Sequence, residues 1–187
     1  MTATQTRSTI DIVRLRELWN RFFADRAYGL EWLAADVPMR DWLATIHELR
    51  AQMAPVVALL PEAAFAPRLV TNGDGEQWSA GQVVDHVCSA QRSVMFRFIE
   101  RVCVAEGVET PRPEAPLDPR PLSRSESLVG LERASAELDD LIARLSLATE
   151  PARTIDNQSF GTLGIRGILL FFAIHEYDHL GHLRVMG

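Results

Sequence analysis

The last stretch of the chain constrains it most. From Gly164 onward, Ile168, Phe171, Phe172, His175, His179 and His182 recur mainly at three- and four-residue steps, which on a helix sets them along one stripe. Hydrocarbon at the start of that stripe gives way to imidazole at its end, and three of the five histidines fall within eight positions there. Buried imidazoles cost free energy unless each finds a partner, and a bound cation satisfies several at once. A fold that holds this helix must surround it with other helices and bring further donors to its imidazole end.

The rest of the chain reads as those other helices. Residues 1–8 are polar and read as disordered, and Val13, Leu15, Leu18, Trp19, Phe22 and Phe23 mark a first amphipathic helix to about Ala27. Leu30 to Pro38, with Trp32 and Leu33, reads either as a connector packed on the bundle or as part of a dimer contact. Trp42, Ile46, Leu49, Met53, Val56, Val57 and Leu60 predict a core-facing helix from Met39 to Leu60, with a kink expected at Pro55. His47 lies one residue off that stripe, at the surface or its boundary.

After a loop over 61–77, the run Trp78-Ser79-Ala80-Gly81-Gln82 carries the sharpest local signal: Ser79 and Gln82 spell a capping box. The helix opened there carries His86 and runs to about Val104. Five prolines between Glu106 and Leu122 forbid a helix and predict an extended crossover. A further helix spans about Ser123 to Leu147, a loop spans Pro151 to Gly161, and the histidine helix starts near Thr162. No segment alternates with period two for long enough to predict a strand. The expectation is an all-α fold: an N-terminal extension with one helix over 1–38, then a four-helix bundle with long crossover loops over 39–187.

Composition removes several function classes. A net charge of −6 without a basic stripe argues against nucleic acid as a partner. No stretch approaches the ~20 apolar residues of a membrane span, and the N-terminus lacks the pattern of a signal peptide. Cys88 and Cys103 form neither a metal-binding pair nor a disulfide framework, so a reducing, cytoplasmic setting is the expectation. Trp19, Phe22, Phe23 and Trp32 offer more apolar surface than a four-helix core needs, which leaves a homodimer open.

His175 and His179, one helical turn apart, suit two ligands of one cation. A third from His182 would lie ~10 Å along the same helix from His175 at ~1.5 Å per residue, too far for bonds of ~2 Å. His86, near the start of another core helix, is therefore the leading third ligand. Asp85, Glu176 and Asp178 read as surface charges, with Asp85 or Asp178 alternatively orienting an imidazole. Cys88 lies ~200° round the helix from His86 and reads as a packed thiol.

The start Trp78-Ser79 leading to His86, together with Ser159-Phe160-Gly161-Thr162-Leu163 ahead of His175-x-x-x-His179, resembles the DinB/YfiT-like metalloenzyme superfamily over about residues 39–187. The resemblance implies a four-helix bundle, often dimeric, with a divalent cation such as Zn²⁺ or Ni²⁺ held by His86, His175 and His179. It also implies a small-molecule substrate: transfer of a low-molecular-weight thiol is the favoured reaction and hydrolysis the next. The alternative is a non-enzymatic metal-binding or stress-response bundle. The chain departs from the family at His182, where glutamine is common; a hydrogen bond to a ligand, a contact with substrate or a replaced ligand all stay open for it.

Overall fold

A computed structural model describes residues 10, 12–24, 29–68, 78–103, 119–145, 150–158 and 160–187. Helix α1 (Ile12–Ala24) and the short α2 (Leu30–Ala34) precede the long α3 (Met39–Leu59), which continues through Pro55. Helix α4 (Ala80–Ala90) passes through a π-turn (Gln91–Met95) into α5 (Phe96–Cys103). Helix α6 is Arg124–Arg144, and a hairpin of β1 (Ile155–Asn157) and β2 (Gly161–Leu163) leads into α7 (Ile165–Arg184). The fold is all-α in its architecture, a four-helix bundle of α3, α4–α5, α6 and α7. The crossover expected over 106–122 falls largely outside the described residues, as do residues 1–8 and the side chain of Phe23.

The expected capping box at Ser79 is present, and a second, not read from the sequence, opens α6. Ser79 accepts from the N–H of Gln82 while Gln82 reaches back to the N–H of Ser79, and Ser123 and Glu126 repeat the arrangement on α6. Gly81 is required for packing: a Cβ there would stand 1.9 Å from the carbonyl oxygen of Leu122, so the segment leading into α6 lies directly on α4.

Cross-helix pairs fix the helix directions. Asp85 with Arg120, Glu137 with Arg92 and Arg144 with Glu100 rise together, so α4–α5 and α6 run parallel. His47 with Asp139 and Leu60 with Arg124 run oppositely, so α3 is antiparallel to α6. Arg50 with Glu176 and Gln52 with Arg184 make α3 and α7 parallel neighbours. The order is up-down-down-up, which demands the long connection between the two parallel helices α5 and α6.

One continuous core results, in which Leu15, Leu18, Phe22, Leu30 and Leu33 of the N-terminal helices join Trp42, Ile46, Met53, Val83, Leu138, Ile168 and Phe172. The doubtful segment before α3 is thus helix α2 packed into the bundle, with Leu30 and Ala34 fully enclosed and Trp32 exposed.

Two expectations need correction. Residues 151–161 hold a strand, and α7 starts at Ile165 rather than near Thr162: Ile155 pairs with Leu163, Asp156 with Thr162 and Asn157 with Gly161. The turn closes because Gly161 takes φ 72°, which suits a residue without a Cβ, and because Asn157 Oδ1 accepts the N–H of Phe160 at 3.2 Å. Glu176 is no surface charge but is fully buried, held by Arg50 across the α3–α7 contact.

Candidate metal centre

His86 stands on the second turn of α4, after the cap that Ser79 and Gln82 fix. His175 and His179 stand one turn apart on α7, which is antiparallel to α4 and packs against it. The three rings meet: His86 lies 5.1 Å from His175 and 4.8 Å from His179 between centroids, and His175 lies 4.5 Å from His179. One nitrogen from each falls within 4.8 Å of the others. His86 Nε2 and His175 Nε2 are 3.1 Å apart, close to the ~3.3 Å edge of a tetrahedron built on ~2.0–2.1 Å bonds.

The electrostatics suit lone-pair donors. Burial lowers the pKa of His86, with the Asp85 carboxylate opposing it. Burial, His86 and Arg50 push His175 down to about 3, and burial with the neighbouring imidazoles pushes His179 lower still. All three rings are therefore neutral near pH 7, the form that binds a cation. Protons satisfy the cluster poorly, since one proton can join only two facing nitrogens, and His175 Nδ1 is enclosed with no hydrogen-bond partner. The donor set fits a metal ion, and the cluster can hold one.

His182 does not join this triad. Its Nδ1 lies 3.2 Å from His179 Nδ1, and its Nε2 lies 3.9 Å from Asp178 Oδ2. Asp178, His179 and His182 form a second group whose donor atoms are within 4.8 Å. Asp178 approaches His182 on the ring edge remote from His179, however, which favours a chain of contacts over a common centre. Asp85 points elsewhere: it accepts from the backbone N–H of Arg120 at 2.8 Å and from its guanidinium at 3.1 Å.

Sequence reasoning missed the aromatic and ionic surroundings. Trp78 tilts over His86 at 4.7 Å and stacks on His179 at 6.4 Å, so the residue before the cap also walls the cluster. Phe160 of the hairpin packs on Phe171 at 4.4 Å, and Phe171 faces His175 at 6.4 Å. Cys88 is a packed thiol as expected, its pKa pushed up to about 12 by burial and by Glu176.

No helix among the described residues is long and apolar enough to cross a membrane. No curated protein and no solved structure is significantly similar to the chain. The sequence model of the DinB superfamily matches residues 45–183, about three quarters of the length, and spans both helices that carry the triad. With that match laid over a helical bundle that gathers three imidazoles at one place, the chain belongs to the DinB superfamily.

Proposed function

We propose that His86, His175 and His179 hold one divalent cation, Zn²⁺ or Ni²⁺, and that the protein is an enzyme acting on a small molecule by thiol transfer, with hydrolysis the next choice. The convergence of three neutral imidazole nitrogens from two helices within 4.8 Å carries this reading. Three protein ligands leave one position for an exogenous group, as catalytic sites do. When bound, such a cation supplies Lewis acidity that lowers the pKa of a thiol or a water brought to it.

The residues around the triad have separate tasks in this reading. His182 orients His179: an Nδ1–H on His179 donates to His182 Nδ1, leaving His179 Nε2 for the cation and His182 Nε2–H directed at Asp178. Trp78 and Phe171 exclude water from two sides of the cluster. Exposed Trp32, with Arg21 stacked 5.3 Å over its ring, supports a homodimer through the N-terminal helices, which size-exclusion chromatography of wild type beside Trp32→Ala tests.

Elemental analysis of untagged wild type beside His86→Ala and His175→Ala tests the site. About one metal per chain, lost in both variants, is expected; no metal after reconstitution removes the reading. The second reading, a metal-braced bundle without catalysis, is favoured by the burial of His179, 6% exposed. It predicts a large drop in Tm on chelation and no metal-dependent turnover with a panel of thiols and electrophiles, whereas the enzyme reading predicts turnover that His86→Ala abolishes.

A further inference from the structure

Outside the histidine cluster, two buried polar side chains, Glu176 and Gln91, converge on a third, Arg50. Arg50 of α3 is 3% exposed, and its Nε and Nη2 donate to Glu176 Oε1 on α7 at 3.2 and 2.9 Å. Its Nη1 donates to the carbonyl of Ala134 on α6 at 2.9 Å, and Nη2 also donates to Gln91 Oε1. Gln91 Nε2 in turn donates to the same Ala134 carbonyl at 2.9 Å, and the Phe172 ring lies 5.1 Å from the guanidinium. One planar fork of donors therefore touches all four helices of the bundle.

The points it touches lie beside the metal ligands. Glu176 directly follows His175, and Gln91 opens the π-turn five residues after His86 in the same continuous helix. A π-turn shifts the phase of everything beyond it relative to what came before, and such turns cluster at functional sites. Here the buried residues Val87, Gln91, Met95 and Ile99 follow at steps of four. A regular helix would drift out of the core over three such steps, and the wider turn absorbs the drift. Net stability is a poor reason for this network, because burying an ion pair costs about as much as its attraction returns.

We propose that Arg50 is a positioning residue for the metal centre: by joining Glu176 of α7 to Gln91 at the π-turn, it sets the register in which His86 meets His175 and His179. The proposal rests on the reading of that cluster as a metal site. A lysine keeps the charge but cannot bond Glu176, Gln91 and Ala134 in one plane.

The test is Co²⁺ binding to the metal-free full chain, followed by the visible absorption of the bound ion, which reports ligand geometry. Wild type, Arg50→Lys, Glu176→Gln and His86→Ala are compared, with Ile99→Ala as a destabilised control in the α5 core. Arg50→Lys and Glu176→Gln are expected to fold, to bind Co²⁺ about 10- to 100-fold more weakly and to shift its spectrum, while Ile99→Ala binds as wild type. If Arg50→Lys fails to fold, the isosteric Glu176→Gln makes the same comparison. An unchanged spectrum and affinity in the folded hub variants overturn the proposal, as does an equal loss in Ile99→Ala. A wild type that binds no Co²⁺, or binds it unchanged in His86→Ala, instead refutes the metal site itself and the proposal with it.

Discussion

The carboxylate of Glu31 accepts the backbone N–H of Gly164 at 2.7 Å across 133 positions of sequence, and Glu31 also accepts that of Gly167 at 2.8 Å. Helix α7 has no side-chain cap of its own, since its N-cap is Gly164. A residue of α2 thus satisfies two of the orphan donors at the start of the helix that carries His175 and His179. Its negative charge also sits at the positive end of the helix dipole.

Glu31→Ala should lower stability by about 1–3 kcal/mol, the cost of a lost cap with donors left buried. For a chain of this size that is a fall in Tm of several degrees. Glu31→Gln, which keeps an acceptor, should lose less. Thermal unfolding by circular dichroism decides it, and an unaltered Tm in Glu31→Ala would remove the capping role.

Metal-free protein should lose stability as the pH falls from about 6.5 toward 3. The ordinary imidazole pKa of 6.5 applies to the unfolded chain, whereas folding holds His175 near 3. Between these values the unfolded state binds the extra proton, so the stabilisation is whole above 6.5 and drains away on acidification. Unfolding of chelator-treated protein at pH 7.5 and pH 5, wild type beside His175→Gln, should show the steeper loss in wild type. Parallel losses would mean that His175 is not held neutral by the fold.

Two glycines should respond oppositely to alanine. At Gly81 the new Cβ would collide with the backbone of Leu122, which cannot yield without moving the lead-in to α6, so Gly81→Ala should destabilise strongly. At Gly181, inside α7, a Cβ meets nothing within 4 Å. Gly181→Ala should therefore stabilise by about 0.5–1 kcal/mol through helix propensity. Chemical denaturation measures both, and a loss of stability at Gly181 would contradict the open surface described there.

Removing one member of the Arg50–Glu176 pair should cost more than removing both. Arg50→Met strands a buried carboxylate, at about 3–5 kcal/mol, and adding Glu176→Leu should return a substantial part of that loss. A double variant no more stable than Arg50→Met would show that the neighbouring groups, Gln91 and Ala134, carry most of the hub.

Helix order, the capping box at Ser79 and the grouping of His86 with His175 and His179 were legible, because apolar spacing and caps act locally. The hub was harder to see, yet it left a mark. Arg50 is four residues from Ile46 on the α3 stripe, and Glu176 lies between Phe172 and Leu180 on a second apolar stripe of α7. Opposite charges on two buried stripes signal a pair, but reading each charge alone sends it to the surface. The hairpin was invisible for another reason. Strands of three residues are too short to show alternation, and the hairpin is held instead by Asn157, Gly161 and the packing of Phe160 and Leu163. Glu31 gave no sign, since capping across 133 positions leaves no local spacing to find.

The parallel contact of α3 with α7 has a consequence for how quickly the chain reaches its structure. Arg50 and Glu176 are 126 residues apart, and His86 and His175 are 89 apart. Helical proteins usually fold fast because their contacts are local, but here the central contacts close very long loops, and that entropy must be lost before they form. The bundle should therefore refold at a pace closer to that of mixed or β-rich domains. Its imidazoles come together among the last events, so a cation present during refolding would meet a complete set of ligands only once the two ends of the bundle have joined.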